Sequence, residues 1–277
     1  LVLPHVVWRH GYYGYLVPNT FYAKAGGLSL ASLSRGLIYL RNELLLLNGP
    51  LFLWGMLGLR ATQGRGMAKI AATLTAYLLY LVAIGGDDWA VFGPRFLVVV
   101  LPWFAVLGVT GLLRPPPLRL PWRLMVMAAA LVTTAGISIF EARGYRGVIE
   151  TMNRGWWTAA EWLSANAADE RLLAVDAAGI IPYHTGLPVV EMLGLNDVHI
   201  AHLDVDNLGG GLSGHEKYDP LYVLAREPAF ICSWLDSQGW PVSAGLASVQ
   251  SRVRAEYELS AYFLMRIPLA GEATRVD

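Results

Sequence analysis

"RLLAVDAAGIIPYHTG", residues 171–186, sets a short apolar run against an aspartate and then a glycine. A run of that length bounded by turn residues reads as a short buried strand, here breaking into a turn at Gly179. Three further stretches have the same form: "PVVEML" (188–193), "AFICSW" (229–234) and "AYFLMRI" (261–267), separated by Gly, Asp and Pro clusters. Just upstream, "GWWTAAEWLSANA" (155–167) reads as an amphipathic helix with its tryptophans towards one side. Strands mixed with helices predict a small α/β domain over residues 141–277.

The preceding part has a different character. Over the whole chain 55% of residues are hydrophobic and 15% charged, against about 25% charged in an ordinary domain. Twenty-one basic residues balance 21 acidic ones, so nothing points to nucleic acid as a partner. The single cysteine, Cys232, excludes an intrachain disulfide. Four apolar runs stand out: Leu44 to Leu59, Met67 to Ile84, Phe96 to Leu113 and Leu124 to Phe140. Buried core helices would give similar runs, but four in close succession favour membrane spans. Arg60, Arg65 and Lys69 lie between the first two runs, and Arg114, Arg119 and Arg123 between the last two. The positive-inside rule then places those loops in the cytoplasm. The expected fold class is an α-helical polytopic membrane bundle followed by a small extracytoplasmic α/β domain. Residues 1–43 form an outer-face interfacial segment, 44–140 a bundle of about four spans, and 141–277 the α/β domain. The expected location is multi-pass in a bacterial inner membrane. A chain of this kind opening in a polar-aromatic loop reads as truncated at its N-terminus.

Three regions carry candidate chemistry. In "GGDDWAVFGPR" (85–95), Asp87, Asp88 and Arg95 are candidates for a phosphate-bearing or hydroxyl-rich ligand, the guanidinium on phosphate oxygens. An interfacial ion pair that ends two helices is the alternative. "GYYGYLVPNTFYAK" (11–24) offers Tyr13, Asn19, Tyr22 and Lys24 as a lid on the membrane surface that stacks a sugar or lines a lipid entry groove, although tyrosines at an interface need no such role. In the α/β domain polar clusters recur around His184, around Asn196, Asp197, His199 and His202, and around His215, Glu216 and Lys217. His199 and His202 with Asp197 or His215 lack the spacing a metal demands, and structural histidines are favoured. "NLGGGLSG" (207–214) has neither the lysine nor the helix of a phosphate loop and reads as a flexible surface loop.

Four of these stretches, "YYGYLVPNTFYAK" (12–24), "GGDDWAVFGPRFLVVVLP" (85–102), "DAAGIIPYHTGLPVVEMLGLNDVHIAH" (176–202) and "GHEKYDPLYVLAREP" (214–228), occur in this order. Together they resemble bacterial polytopic glycosyltransferases of the GT-C architecture, nearest to the terminal arabinofuranosyltransferase-like group of cell-wall synthesis. The resemblance implies a membrane enzyme that moves a sugar, arabinofuranose by nearest likeness, from a polyprenyl-phosphate donor to a cell-envelope glycan or lipid acceptor. It implies that Asp87, Asp88, Arg95, Tyr13, Asn19, Tyr22 and Lys24 lie on the donor side. Asn196, Asp197, His199, His215 and Lys217 would lie on the acceptor side. The catalytic base of such enzymes is an aspartate in a first outer loop, which this sequence does not contain. No cofactor is certain, and a divalent cation is left open. The expected partners are a lipid-linked sugar, a glycan or lipid acceptor and the bilayer. The rival expectation is a non-catalytic membrane scaffold or glycan-binding protein.

Overall fold

The computed structural model describes residues 2–24, 29–43, 65–87, 95–113, 120–167, 171–206, 208–236, 238–259 and 264–266. In chain order its elements are α1 (Val2–Tyr13), α2 (Asn19–Lys24), α3 (Leu30–Leu40), α4 (Arg65–Ala83), α5 (Leu101–Leu113) and α6 (Leu120–Asn166). There follow β1 (Leu173–Val175), α7 (Ile180–Thr185), β2 (Val189–Glu191), α8 (Val198–Ala201), α9 (Pro220–Ala225) and β3 (Phe230–Cys232). The last are a 3-10 turn (Leu246–Val249), α10 (Gln250–Glu256), β4 (Tyr257–Leu259) and β5 (Leu264–Arg266). Two compact units result, Leu1–Gly26 with Thr151–Asp277, and Gly27–Glu150.

In the helical unit, Ser29 caps α3 by accepting from the Ser32 amide at 3.0 Å. This satisfies one of the amides a helix start leaves free. Helix α3 then packs along α4, closely enough that a Cβ on Gly36 would sit 2.4 Å from the Val82 carbonyl oxygen. Only glycine permits that approach. The chain leaves α4 through Gly85 and Gly86, where the Arg35 guanidinium donates to the Gly85 carbonyl at 3.0 Å. Leu74, Leu81, Leu97, Phe104 and Leu107 bury one another around Tyr39.

This unit overturns the expected polytopic bundle. Among the described residues no helix is long and apolar enough to cross a membrane. Helix α4 carries Arg65 and Lys69 in its first turns and ends at Ala83. The Phe96–Leu113 run is not one helix: residues 95–100 form turns, and α5 has 13 residues, about 20 Å at 1.5 Å per residue. The apolar part of α6, Leu124 to Phe140, lies between Arg123 and Glu141 and reaches only about 25 Å of the roughly 30 Å required. The Leu44–Leu59 run lies outside the described residues. Membrane spans, the multi-pass inner-membrane location and the extracytoplasmic side given to the α/β domain fall with this finding.

The other unit holds a five-stranded sheet of order β2-β1-β3-β5-β4. Strand β1 pairs in parallel with both β2 and β3, in register Leu173↔Val189 and Leu173↔Phe230. Strand β5 then runs antiparallel to β3 and to β4. Side chains alternate across the sheet with period two, as strand geometry dictates. Leu173, Val175, Phe230 and Cys232 face Ala159, Ala160 and Leu163 of α6. Ala174 and Ile231 face Ile200, Leu224, Val253 and Tyr257. Both faces are covered, which is why β1 and β3 read as continuous apolar runs.

Candidate functional site

Because β1 has β2 on one side and β3 on the other, the chain leaves β1 towards one side and returns on the other. In open sheets with parallel strands, ligands settle in the crevice outside the carboxyl ends of strands at such a reversal. A cavity of about 300 Å³ occupies that place here, walled by Trp156 of α6, by Val175 at the end of β1 and Asp176 after it, and by Cys232 at the end of β3 with Ser233 and Trp234 after it. Its walls are mostly apolar. The Trp156 and Trp234 rings meet at 68° with centroids 6.0 Å apart.

The polar feature is Asp176, which is 5% exposed. Its backbone amide extends the parallel ladder to the Cys232 carbonyl at 3.1 Å. Its Oδ2 accepts from the Trp234 amide at 2.9 Å and from the Ser243 hydroxyl. Its Oδ1 is buried with no hydrogen-bond partner. Burial pushes the Asp176 carboxyl above the usual carboxylate range, and the Ser243 and Trp234 hydrogen bonds recover part of that shift. Ser233 also donates to the Asp176 carboxylate, and its hydroxyl lies 2.9 Å from that of Ser243. Burial also pushes the neighbouring Cys232 thiol up to about 12, which leaves it an unreactive wall.

The residues singled out in the sequence fall elsewhere. Asn19 donates to the Gly194 and Asp197 carbonyls. Tyr15 and Tyr22 each stack at a tilt on His202, with centroids at 4.5 and 4.3 Å. The Lys24 stem passes Gly214, and Tyr13 lies exposed at the end of α1 with its ring against Tyr12. The segment 11–24 is thus a strap on the α8 region, docked by its own polar groups. Asp197 caps α8 through the Ile200 amide and accepts from the Tyr222 hydroxyl, both at 3.0 Å. His199 stacks on Tyr222 at 4.1 Å and donates through Nε2 to Asp219 at 3.0 Å. Asp219 is held below its ordinary range: burial alone would raise it, but the His199 and Tyr222 N–H bonds outweigh burial.

Lys217 is buried, donates to the Ala201 carbonyl at 2.9 Å, and is lowered by that burial. The Asn196 amide donates to the buried Glu191 carboxylate at 3.0 Å. His215 contacts the Ser213 carbonyl at 3.3 Å through Nδ1. Glu216 accepts from the Gly209 and Gly211 amides, tying down the glycine-rich loop. Asn19, Tyr22, Lys24, Asn196, Asp197, His199 and Lys217 therefore cluster around α8, away from the residues that line the cavity. Among the described residues no group of three or more His, Cys, Asp or Glu could hold a metal ion. In the helical unit, Arg95 grips the buried Asp87 carboxylate with Nε and Nη2, the latter at 3.0 Å. Asp88 lies outside the described residues.

Sequence reasoning missed Asp176. The available signal was its place: a carboxylate directly after a buried strand, followed by Ala177, Ala178 and Gly179, which leave the strand end open. Residues 141–276 are similar to a family described as a domain of unknown function (DUF8728). No curated protein matches the chain, and no solved structure does. These comparisons lend no support to the expected glycosyltransferase and cell-wall assignments.

Proposed function

We propose that the unit of residues 1–26 and 151–277 recognises a saccharide in the crevice at the carboxyl ends of β1 and β3. The observation that carries this reading is the buried, unpartnered Oδ1 of Asp176 in a cavity walled by two tryptophans. A pyranose has the matching surface, with C–H faces that lie on indole rings and hydroxyls that donate to a carboxylate. Hydrogen bonds to a charged acceptor contribute about 1.5–3 kcal/mol each, enough for weak and selective binding. Titration of the full chain with a monosaccharide panel tests it through the fluorescence of Trp156 and Trp234. Saturable quenching is expected, and lost when Trp234 is replaced by Ala. No saturable change with any neutral or amino monosaccharide would sink the reading.

Sugar transfer from a polyprenyl-phosphate carrier onto the bound saccharide is a further proposal, resting on the resemblance of the quoted segments. The observation that favours it is that two of them, 12–24 and 176–202, meet through Asn19 against Gly194 and Asp197. Labelled-sugar transfer to a glycan in the presence of the full chain tests it. A chain that binds saccharide yet transfers none leaves recognition alone standing.

A further inference from the structure

We infer that the saccharide held in this crevice is an amino sugar, its protonated amine seated against Asp176 Oδ1. The inference rests on the saccharide reading and adds the chemistry of the group that meets the carboxylate.

Three observations carry it. First, the crevice presents an acceptor to its occupant: Asp176 Oδ1 has no donor. An ammonium brings three donors and no acceptor. Second, no residue lining the cavity is basic. The donors that reach Asp176, the Trp234 amide and the Ser243 and Ser233 hydroxyls, are all neutral. A buried carboxylate stays ionised only beside an opposite charge, and a hydroxyl would satisfy the hydrogen bond while leaving that charge unbalanced. Third, the Trp156 and Trp234 rings meet at an angle beside the carboxylate. Indole faces attract a desolvated cation as well as a sugar ring.

The same geometry sets the pH response. In the empty crevice burial favours the protonated carboxyl. An incoming ammonium favours the carboxylate, so binding weakens as pH falls through the raised Asp176 pKa. The ionisable groups that bear on Asp176 are Cys232, which stays a neutral thiol, Glu191, whose carboxylate repels it, and His215, whose proton would hold it as carboxylate.

The test is a competition among glucose, N-acetylglucosamine, glucosamine and methylammonium on the full chain at fixed ionic strength, read by tryptophan fluorescence. Glucosamine is expected to bind at least ten times more tightly than glucose or N-acetylglucosamine. In Asp176→Asn, which keeps an acceptor for Ser243 and the Trp234 amide, the three sugars should fall within about twofold of one another. The wild-type comparison needs no variant and stands alone if the substitution impairs folding. Equal binding of glucose and glucosamine overturns the inference and leaves saccharide recognition intact. Binding of methylammonium but of no sugar overturns both, because the amine site would then not be a saccharide site. Binding of none of the four overturns both as well.

Discussion

The Asn19 side-chain amide donates to the carbonyls of Gly194 and Asp197, at 3.0 and 2.9 Å, across more than 170 residues of chain. One planar NH2 group, with its two protons, fixes the start of α2 to the turn that leads into α8. Pro18 sets the backbone just ahead of it, and Tyr15 and Tyr22 close on His202 beside it.

Replacing Asn19 by Ala removes both donors and leaves two carbonyls to find water. Each such bond contributes about 1 kcal/mol net, so a loss of about 2 kcal/mol is expected in urea unfolding of the full chain. Asn19→Asp should be worse, because a carboxylate would face two carbonyl oxygens. An Asp variant as stable as the wild type would remove this contact from the account.

Gly194→Ala should destabilise the same turn for a separate reason. Gly194 sits at φ +77°, and a Cβ there would lie 2.7 Å from the Ala201 amide nitrogen. The left-handed backbone alone costs a non-glycine residue about 1–2 kcal/mol, and the clash is with backbone, which cannot rotate away. Calorimetry should show a lowered melting temperature, with Asn19→Ala adding little on top because both changes loosen one contact. Full additivity of the two losses would refute that coupling.

The strands were legible because apolar runs between turn residues have little else to become in a unit with both sheet faces covered. Strands β1, β2, β3 and β5 each lie within a stretch recognisable from the sequence. Strand β4 does not, because it follows α10 without a break and carries the exposed Glu258 at its centre. The membrane expectation failed on helix length. Apolar content marks Leu97, Phe104 and Leu107 as buried, but says nothing about whether lipid or one another covers them. The polar clusters were conspicuous for the residue types that cap short helices, and Asp197 and Asp219 are used in that way. Asp176 was inconspicuous because its partners, Trp234 and Ser243, lie 58 and 67 residues downstream.

Arg95 bears on stability before it bears on any ligand. The Asp87 side chain it grips is fully buried, while its own is 44% exposed. Arg95→Ala would leave a buried carboxylate without its cation, a change that costs about 3–5 kcal/mol in a fully buried pair. Water around the guanidinium lowers the expected loss to about 2–3 kcal/mol. The double variant Asp87→Asn/Arg95→Ala should regain part of this in urea unfolding, since the amide carries no charge. A double variant no more stable than the single one would show that the pair is not what Arg95 provides.

Asp176 sets stability against the proposed binding, and the sign follows from its raised pKa. The folded state holds the proton more tightly than the unfolded chain, whose carboxyl titrates near about 3.9. Below that value both states are protonated and Asp176 carries no penalty. As pH rises through the folded pKa, the fold must bury a charge that the unfolded chain leaves in water, and stability is lost. Asp176→Asn has no such charge. Its unfolding midpoint should match the wild type at acid pH and exceed it increasingly up to a plateau above the folded pKa. Paired denaturation curves across that range decide the matter. A variant less stable than the wild type at neutral pH would mean that the carboxylate's hydrogen bonds to Ser243 and the Trp234 amide outweigh its burial, and that the fold needs no ligand charge to balance it.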